Sequence, residues 1–193
     1  MSNRSKCLSC YSTKIVDIID LGKHPFADSF TKKKVSLKTY PLVVQLCKKC
    51  NFIQNKFITN DNSRYNDIDY SYSSSNSNAA INHWKKYISE IKKKGVIIKN
   101  NSVLEIGSND GFFLSEINKE SKFSLGIEAS KYMYNLTKKK NLNVLLGILG
   151  KIPKKKLSKY FNKFDLIIAN NVFNHSNDPS NFLKQVNNLL NKN

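Results

Sequence analysis

Arginine is nearly absent from this chain, at two of its 32 basic residues, and acidic residues number only 14. Arginine is the side chain preferred for bidentate phosphate and base contacts. Its scarcity disfavours a reader of nucleic acid, even at a formal net charge of +18. An excess of that size would suit an anionic partner. The lysines, however, are scattered through a chain rich in Lys, Asn and Ile together, which favours compositional drift and solvated charged faces. The N-terminal stretch "MSNRSKCLSCYSTK" has no apolar signal-peptide core, and no later segment approaches a membrane span in length. A soluble, cytoplasmic protein without a membrane partner is therefore expected. Disorder throughout is excluded by 40% hydrophobic residues, and 193 residues suffice for one small and one medium domain.

Cysteine is also sparse, and all four copies fall into two CxxC pairs, "CLSC" (Cys7, Cys10) and "CKKC" (Cys47, Cys50). A CxxC knuckle places two thiolates on one turn, and two knuckles supply the tetrahedral sulfur shell that zinc accepts at about 2.3 Å. The 36 intervening residues exceed ordinary finger spacing, so an insertion must bring the chain back. Four protein ligands leave no position for water, so Cys7, Cys10, Cys47 and Cys50 point to a structural Zn2+. A redox dithiol needs only one pair beside a βαβ unit, and the first such unit starts far downstream. His24 reads as an ordinary loop histidine.

Between and just after the knuckles, "KIVDIIDLG", "YPLVVQLC" and "NFIQNKF" read as short strands. The polar stretch from Thr59 to Asn78 reads either as a linker or, given Tyr65, Tyr70 and Tyr72, as a segment that folds over a pocket. A helix follows, with Ile81, Trp84, Ile88 and Ile91 on one face and Gly95 at its C′ position. Strands and helices then alternate: "SVLEI", a helix from Phe112, "FSLGIE", "SKYMYNLTKKKN", "NVLLG", "FDLIIAN" and "DPSNFLKQVNNLLNKN". That alternation is the mark of a parallel sheet with right-handed crossovers. The expected organisation is α/β, with a zinc-binding module over 1–67 and a doubly wound, Rossmann-like sheet over 68–193.

Glycine is scarce too, at seven copies, and two of them bracket the turn Gly107-Ser108-Asn109-Asp110-Gly111 after the first parallel strand. Ligands of open α/β sheets bind beyond the strands' carboxyl ends. Gly107 and Gly111 let the backbone bend, and Asn109 is the non-glycine residue best suited to a left-handed position. Glu105 ends the first strand. Glu128 ends the second, where an acid can accept both hydroxyls of an unphosphorylated ribose. Asn170 and Asn171 follow the fourth. The third glycine of a G-x-G-x-x-G pyrophosphate cradle is missing, so the turn suits S-adenosylmethionine better than a dinucleotide. An ordinary connecting turn is the competing reading.

The combination "CLSC…DLGKHPFADSF…YPLVVQLCKKC", "YSYSSS", "VLEIGSNDGFFL", "GIEASK" and "IIANNVFNHSNDP" resembles the sugar-nucleotide C-methyltransferases that carry an N-terminal zinc-binding domain. The resemblance implies a class I methyltransferase that uses S-adenosylmethionine and a structural Zn2+. It implies a substrate in the form of a nucleoside-diphosphate-linked keto-deoxysugar, methylated beside its ketone by way of an enolate. By motif, Glu105, Gly107, Asn109, Gly111, Glu128, Asn170 and Asn171 would surround the cofactor, and Tyr70 and Tyr72 would fold over cofactor or substrate. His175 would act as base or oxyanion donor, or would be an ordinary loop histidine. The family's fold carries further strands and a C-terminal domain. An incomplete sheet is thus expected, from a shortened gene or awaiting a second polypeptide, with little catalysis by the chain alone. The alternatives are a nucleic-acid-binding zinc module, an RNA methyltransferase, which the missing Asn-Pro-Pro-aromatic motif disfavours, and a non-catalytic partner subunit.

Overall fold

The computed structural model describes residues 2–27, 32–66, 72–96 and 98–192. The chain divides into two compact units, Met1–Ser71 with Asn177–Ser180, and Tyr72–Ser176 with Asn181–Asn193.

The first unit is built on β1 (Ser2–Asn3), β2 (Ile15–His24), β3 (Tyr40–Cys47), β4 (Ile53–Asn55), β5 (Phe57–Ile58) and a short helix α1 (Asp61–Tyr65). Strands β2, β3 and β4 form an antiparallel sheet, while β1 pairs with β5. The stretch "NFIQNKF", expected as one strand, is thus split between two sheets. α1 also departs from expectation, since it begins inside the polar stretch. The two knuckles are backbone copies of each other. Tyr11 and Asn51, each directly after its pair, are left-handed at φ 59° and 60°. Their N–H groups donate to the carbonyls of Cys7 and Cys47 at 3.0 and 2.8 Å. The N–H groups of Cys7 and Cys47 in turn donate to Ser12 and Phe52, both at 2.9 Å.

The second unit contains α2 (Asn78–Lys93), β6 (Ser102–Ile106), α3 (Phe112–Asn118), β7 (Phe123–Glu128), α4 (Lys131–Lys139), β8 (Val144–Leu146), α5 (Lys154–Leu157), β9 (Leu166–Ile168) and, from Asn181 on, α6 (Pro179–Leu189). Its sheet is parallel, in the order β8-β7-β6-β9, with Ile106 opposite Ile127 and Glu105 opposite Ile168. Pleating sends alternate residues of β6 to opposite faces. Leu104 and Ile106 enter a core with Leu125, Ile127, Phe164 and Phe182, whereas Val103 joins Ile88, Phe113, Ile117 and Ile168. Ser77 caps α2 by accepting from Ala80 at 3.2 Å, and Gly95 follows the helix at φ 86°. Because strand order reverses at β6, the turn after it lies at the topological switch point. β9 is an edge of the sheet. No helix among the described residues is long and apolar enough to cross a membrane.

Candidate metal centre and cofactor site

The four cysteine sulfurs lie within 4.8 Å of one another, with Cys7–Cys50 and Cys10–Cys47 both at 3.6 Å, and none forms a disulfide. Zinc–sulfur bonds of about 2.3 Å require tetrahedral edges of about 3.8 Å, so the donor set fits the ion. Burial pushes the Cys47 thiol up, yet the N–H groups of Cys50 and Lys49, with the neighbouring thiols, bring it down to about 6. For Cys50 the N–H of Phe52 lowers the pKa, but the sulfur of Cys10, burial and the sulfurs of Cys7 and Cys47 push it up to about 12.

A buried glutamine pair holds the first knuckle in place. The Gln54 carbonyl accepts from the Leu8 N–H at 2.9 Å, and its amide donates to the Lys6 carbonyl at 3.2 Å and to Gln45 at 3.3 Å. Gln45 donates to Asp17 at 2.9 Å, and Asp17 is bridged to Lys56 at 2.6 Å. Both neighbours of Cys7 are thus anchored to β3 and β4. Sequence reasoning passed over these glutamines because their partners are distant in the chain.

In the second unit, Gly107, Asn109 and Gly111 are all left-handed, at φ 74°, 51° and 75°. A Cβ on Gly107 would lie 2.4 Å from Val172 Cγ2, and one on Gly111 would lie 2.8 Å from Thr137 Cγ2. Both glycines are therefore required by the turn's own backbone and neighbours. The Asn109 N–H donates to Glu128 Oε2 and the Ser130 N–H to Glu128 Oε1, each at 2.7 Å. A carboxylate has about four lone-pair sites, so these donors do not exhaust it. Glu128 is raised by burial, an effect opposed by the N–H groups of Ser130, Asn109 and Ala129.

Glu105 is buried on the Val103 face, with Oε2 lacking a partner among the described residues. Its pKa stands well above the carboxylate range, first through burial and then through the charges of Glu128 and Asp110, while the Leu114 N–H opposes the shift. Asn170 accepts the Tyr87 hydroxyl at 3.0 Å, and its buried Nδ2 has no partner among the described residues. Asn171 is exposed and left-handed at φ 55°. Tyr72 is exposed, with its carbonyl accepting from Asn109 Nδ2 at 3.0 Å. His175 is exposed on a 3-10 turn, Phe173–His175, after β9. Tyr70 lies outside the described residues. Glu105, Gly107, Asn109, Gly111 and Glu128 thus gather at one turn, with Asn170 beyond the adjacent strand.

Asp110 and three serines are the residues sequence reasoning missed. The buried Asp110 accepts from Ser73 Oγ at 2.7 Å, Ser74 Oγ at 2.6 Å, Ser75 Oγ, the Ser75 N–H at 3.2 Å and the Phe112 N–H at 3.1 Å. Burial would raise its pKa, but the hydroxyls of Ser74, Ser75 and Ser73 and the Phe112 N–H hold it below the usual value. The available signal was the hydroxyl run in "YSYSSS".

Residues 104–193 match the family model described as "Methyltransferase domain". The match covers most of the second unit, an α/β fold with a parallel sheet. Residues 7–65, which carry the four cysteines, match the model described as "Putative zinc binding domain". No curated protein matches the chain. Among solved structures, it is similar to a putative S-adenosyl-L-methionine-dependent methyltransferase of Methanococcus maripaludis. Identity there is 20% over 58% of this chain and 52% of that one, with a TM-score of 0.47. The YcgJ protein of Bacillus subtilis is 19% identical over 57% of this chain and 47% of its own, at a TM-score of 0.46. A SAM-dependent methyltransferase of Aquifex aeolicus is 21% identical over 57% and 67%, also at 0.46. The chain spans about half the length of the first two.

Proposed function

We propose that the chain is the zinc-bearing and cofactor-binding part of an S-adenosylmethionine-dependent C-methyltransferase that acts on a nucleoside-diphosphate-linked keto-deoxysugar. The observation that carries the cofactor reading is the left-handed turn at the switch point, fastened to Glu128 through the Asn109 N–H at 2.7 Å. It sets an acid at the end of β7, where a ribose hydroxyl can be accepted. The sugar-nucleotide substrate is supported by the resemblance of the knuckles, "YSYSSS" and "IIANNVFNHSNDP" to that family.

S-adenosylmethionine, when bound, supplies the electrophilic methyl group. Gly107, Asn109 and Gly111 would hold its methionine and ribose part, Glu128 would accept from the ribose hydroxyls, and Glu105, Asn170 and Asn171 would complete the surroundings. Tyr72 would cover the site. His175 takes the proton from the carbon beside the ketone or donates to the oxyanion that forms. The zinc is structural. The open edge at β9 can be continued by more of the same protein or by a second polypeptide.

Calorimetric titration of the zinc-loaded chain with S-adenosylmethionine and S-adenosylhomocysteine tests the cofactor reading. Saturable binding that Glu128→Ala weakens at least about tenfold is expected, the usual scale for losing charge-assisted hydrogen bonds. A folded wild-type chain that binds neither compound would sink it.

A further inference from the structure

We propose that Asp110 is a positioning residue that docks residues 72–75 onto the glycine turn, and that this docking is required for tight cofactor binding. The proposal rests on the cofactor reading above. A carboxylate beside a helix start needs one or two backbone N–H groups to be satisfied, and the Phe112 N–H at 3.1 Å is such a donor. Asp110 takes four more, all from Ser73, Ser74 and Ser75. Its neighbour Asn109 is spent on the same segment. It accepts from the Ser74 N–H at 2.8 Å and donates to the Tyr72 carbonyl at 3.0 Å. Two adjacent turn side chains thus grip one short segment some 35 residues away in sequence.

That grip has a directional consequence. The segment runs through the Ser77 cap into α2, whose Trp84 and Tyr87 rings pack on Phe113 at 5.4 and 5.8 Å. Tyr87 then reaches Asn170 at 3.0 Å. Docking therefore settles where α2 begins, and α2 delivers a hydroxyl to the loop after β9. Withdrawing the serines would leave Asp110 ionised beside Glu105 and Glu128 with one N–H donor, which a buried carboxylate does not tolerate. Residues 72–75 are thus part of the cofactor wall, and hydroxyls at three consecutive positions are what the carboxylate demands.

The test compares the zinc-loaded full chain with Asp110→Ala and with the triple variant Ser73→Ala, Ser74→Ala, Ser75→Ala. The triple variant leaves the glycine turn intact. Two readouts are taken: S-adenosylhomocysteine affinity by calorimetry, and hydrogen exchange of the Ser74 and Ser75 amides. Both variants are expected to bind about tenfold or more weakly, as loss of hydrogen bonds to a charged group implies. They should also lose amide protection while keeping wild-type helical circular dichroism. A triple variant that binds as tightly as the wild type overturns the proposal, even where Asp110→Ala fails to fold. Protected amides in the triple variant overturn it equally. A wild-type chain that protects both amides yet binds no S-adenosylhomocysteine overturns the cofactor reading, and with it the coupling, while the docking stands.

Discussion

Glu105 and Asp110 flank the same turn and respond to it in opposite ways. Both are buried, but Asp110 is surrounded by donors, whereas Glu105 meets two negative neighbours and has one oxygen without a partner among the described residues. Raised in the folded state, Glu105 contributes stability that is fully present below its unfolded pKa of about 4.3 and is lost as pH rises through the folded value. Glu105→Gln is therefore expected to raise the urea midpoint at pH 8, with the gain shrinking toward pH 4. A midpoint that falls at pH 8 would mean that an uncompensated charge is not what strains the site. Asp110, held low, contributes stability present above about 3.9 and lost as pH falls through its folded value. The two acids thus pull the pH dependence of folding in opposite directions. From sequence Glu105 reads as a strand-end acid beside the cofactor and Asp110 as one more residue of the turn, because their difference depends on which distant groups face them.

At the scale of elements, α2 and α3 are coupled through aromatic rings. Phe113 is 2% exposed and touches both Trp84 and Tyr87. The amphipathic face of α2 was legible at helical spacing, as was the Ser77–Gly95 frame, since caps and periodicity are local. The helix face that receives it was not. Phe113→Ala is expected to destabilise the second unit by about 3–5 kcal/mol, the usual range for emptying such a site, measured by urea unfolding. A loss below about 1 kcal/mol would show that the rings repack. The strand pairing β1–β5 and the helix α1 were missed for the same reason. Segments of two to five residues have no period to read, and only their partners stabilise them.

At the scale of the whole molecule, the two units differ in what holds them. Among the described residues of the first unit, the buried hydrophobics are Cys7, Val43 and Cys47. Two of the three are themselves sulfur donors, so a metal staple must replace a core that is not there. Removing zinc with a chelator is expected to unfold the first unit, with loss of its β-sheet signal, while the α/β unit keeps its helical signal. A first unit that survives chelation unchanged would assign its stability to the sheet instead.

Paired thiols, the switch from strand to strand-helix alternation and the glycine–asparagine turn were all determined by the sequence itself. Each depends on neighbours within a few residues, through turn geometry, pleat or helical period. Only the tertiary structure decided that both knuckles share one backbone plan and that Gln54 braces the first. It also set β6 between β7 and β9, and placed Val172 and Thr137 so that Gly107 and Gly111 must be glycine. The serines belong with these. Hydroxyls at 73–75 find their purpose only in a carboxylate some 35 residues on. A hydrogen bond of that reach has no local signature, because the chain between its partners leaves their meeting to the packing of everything else.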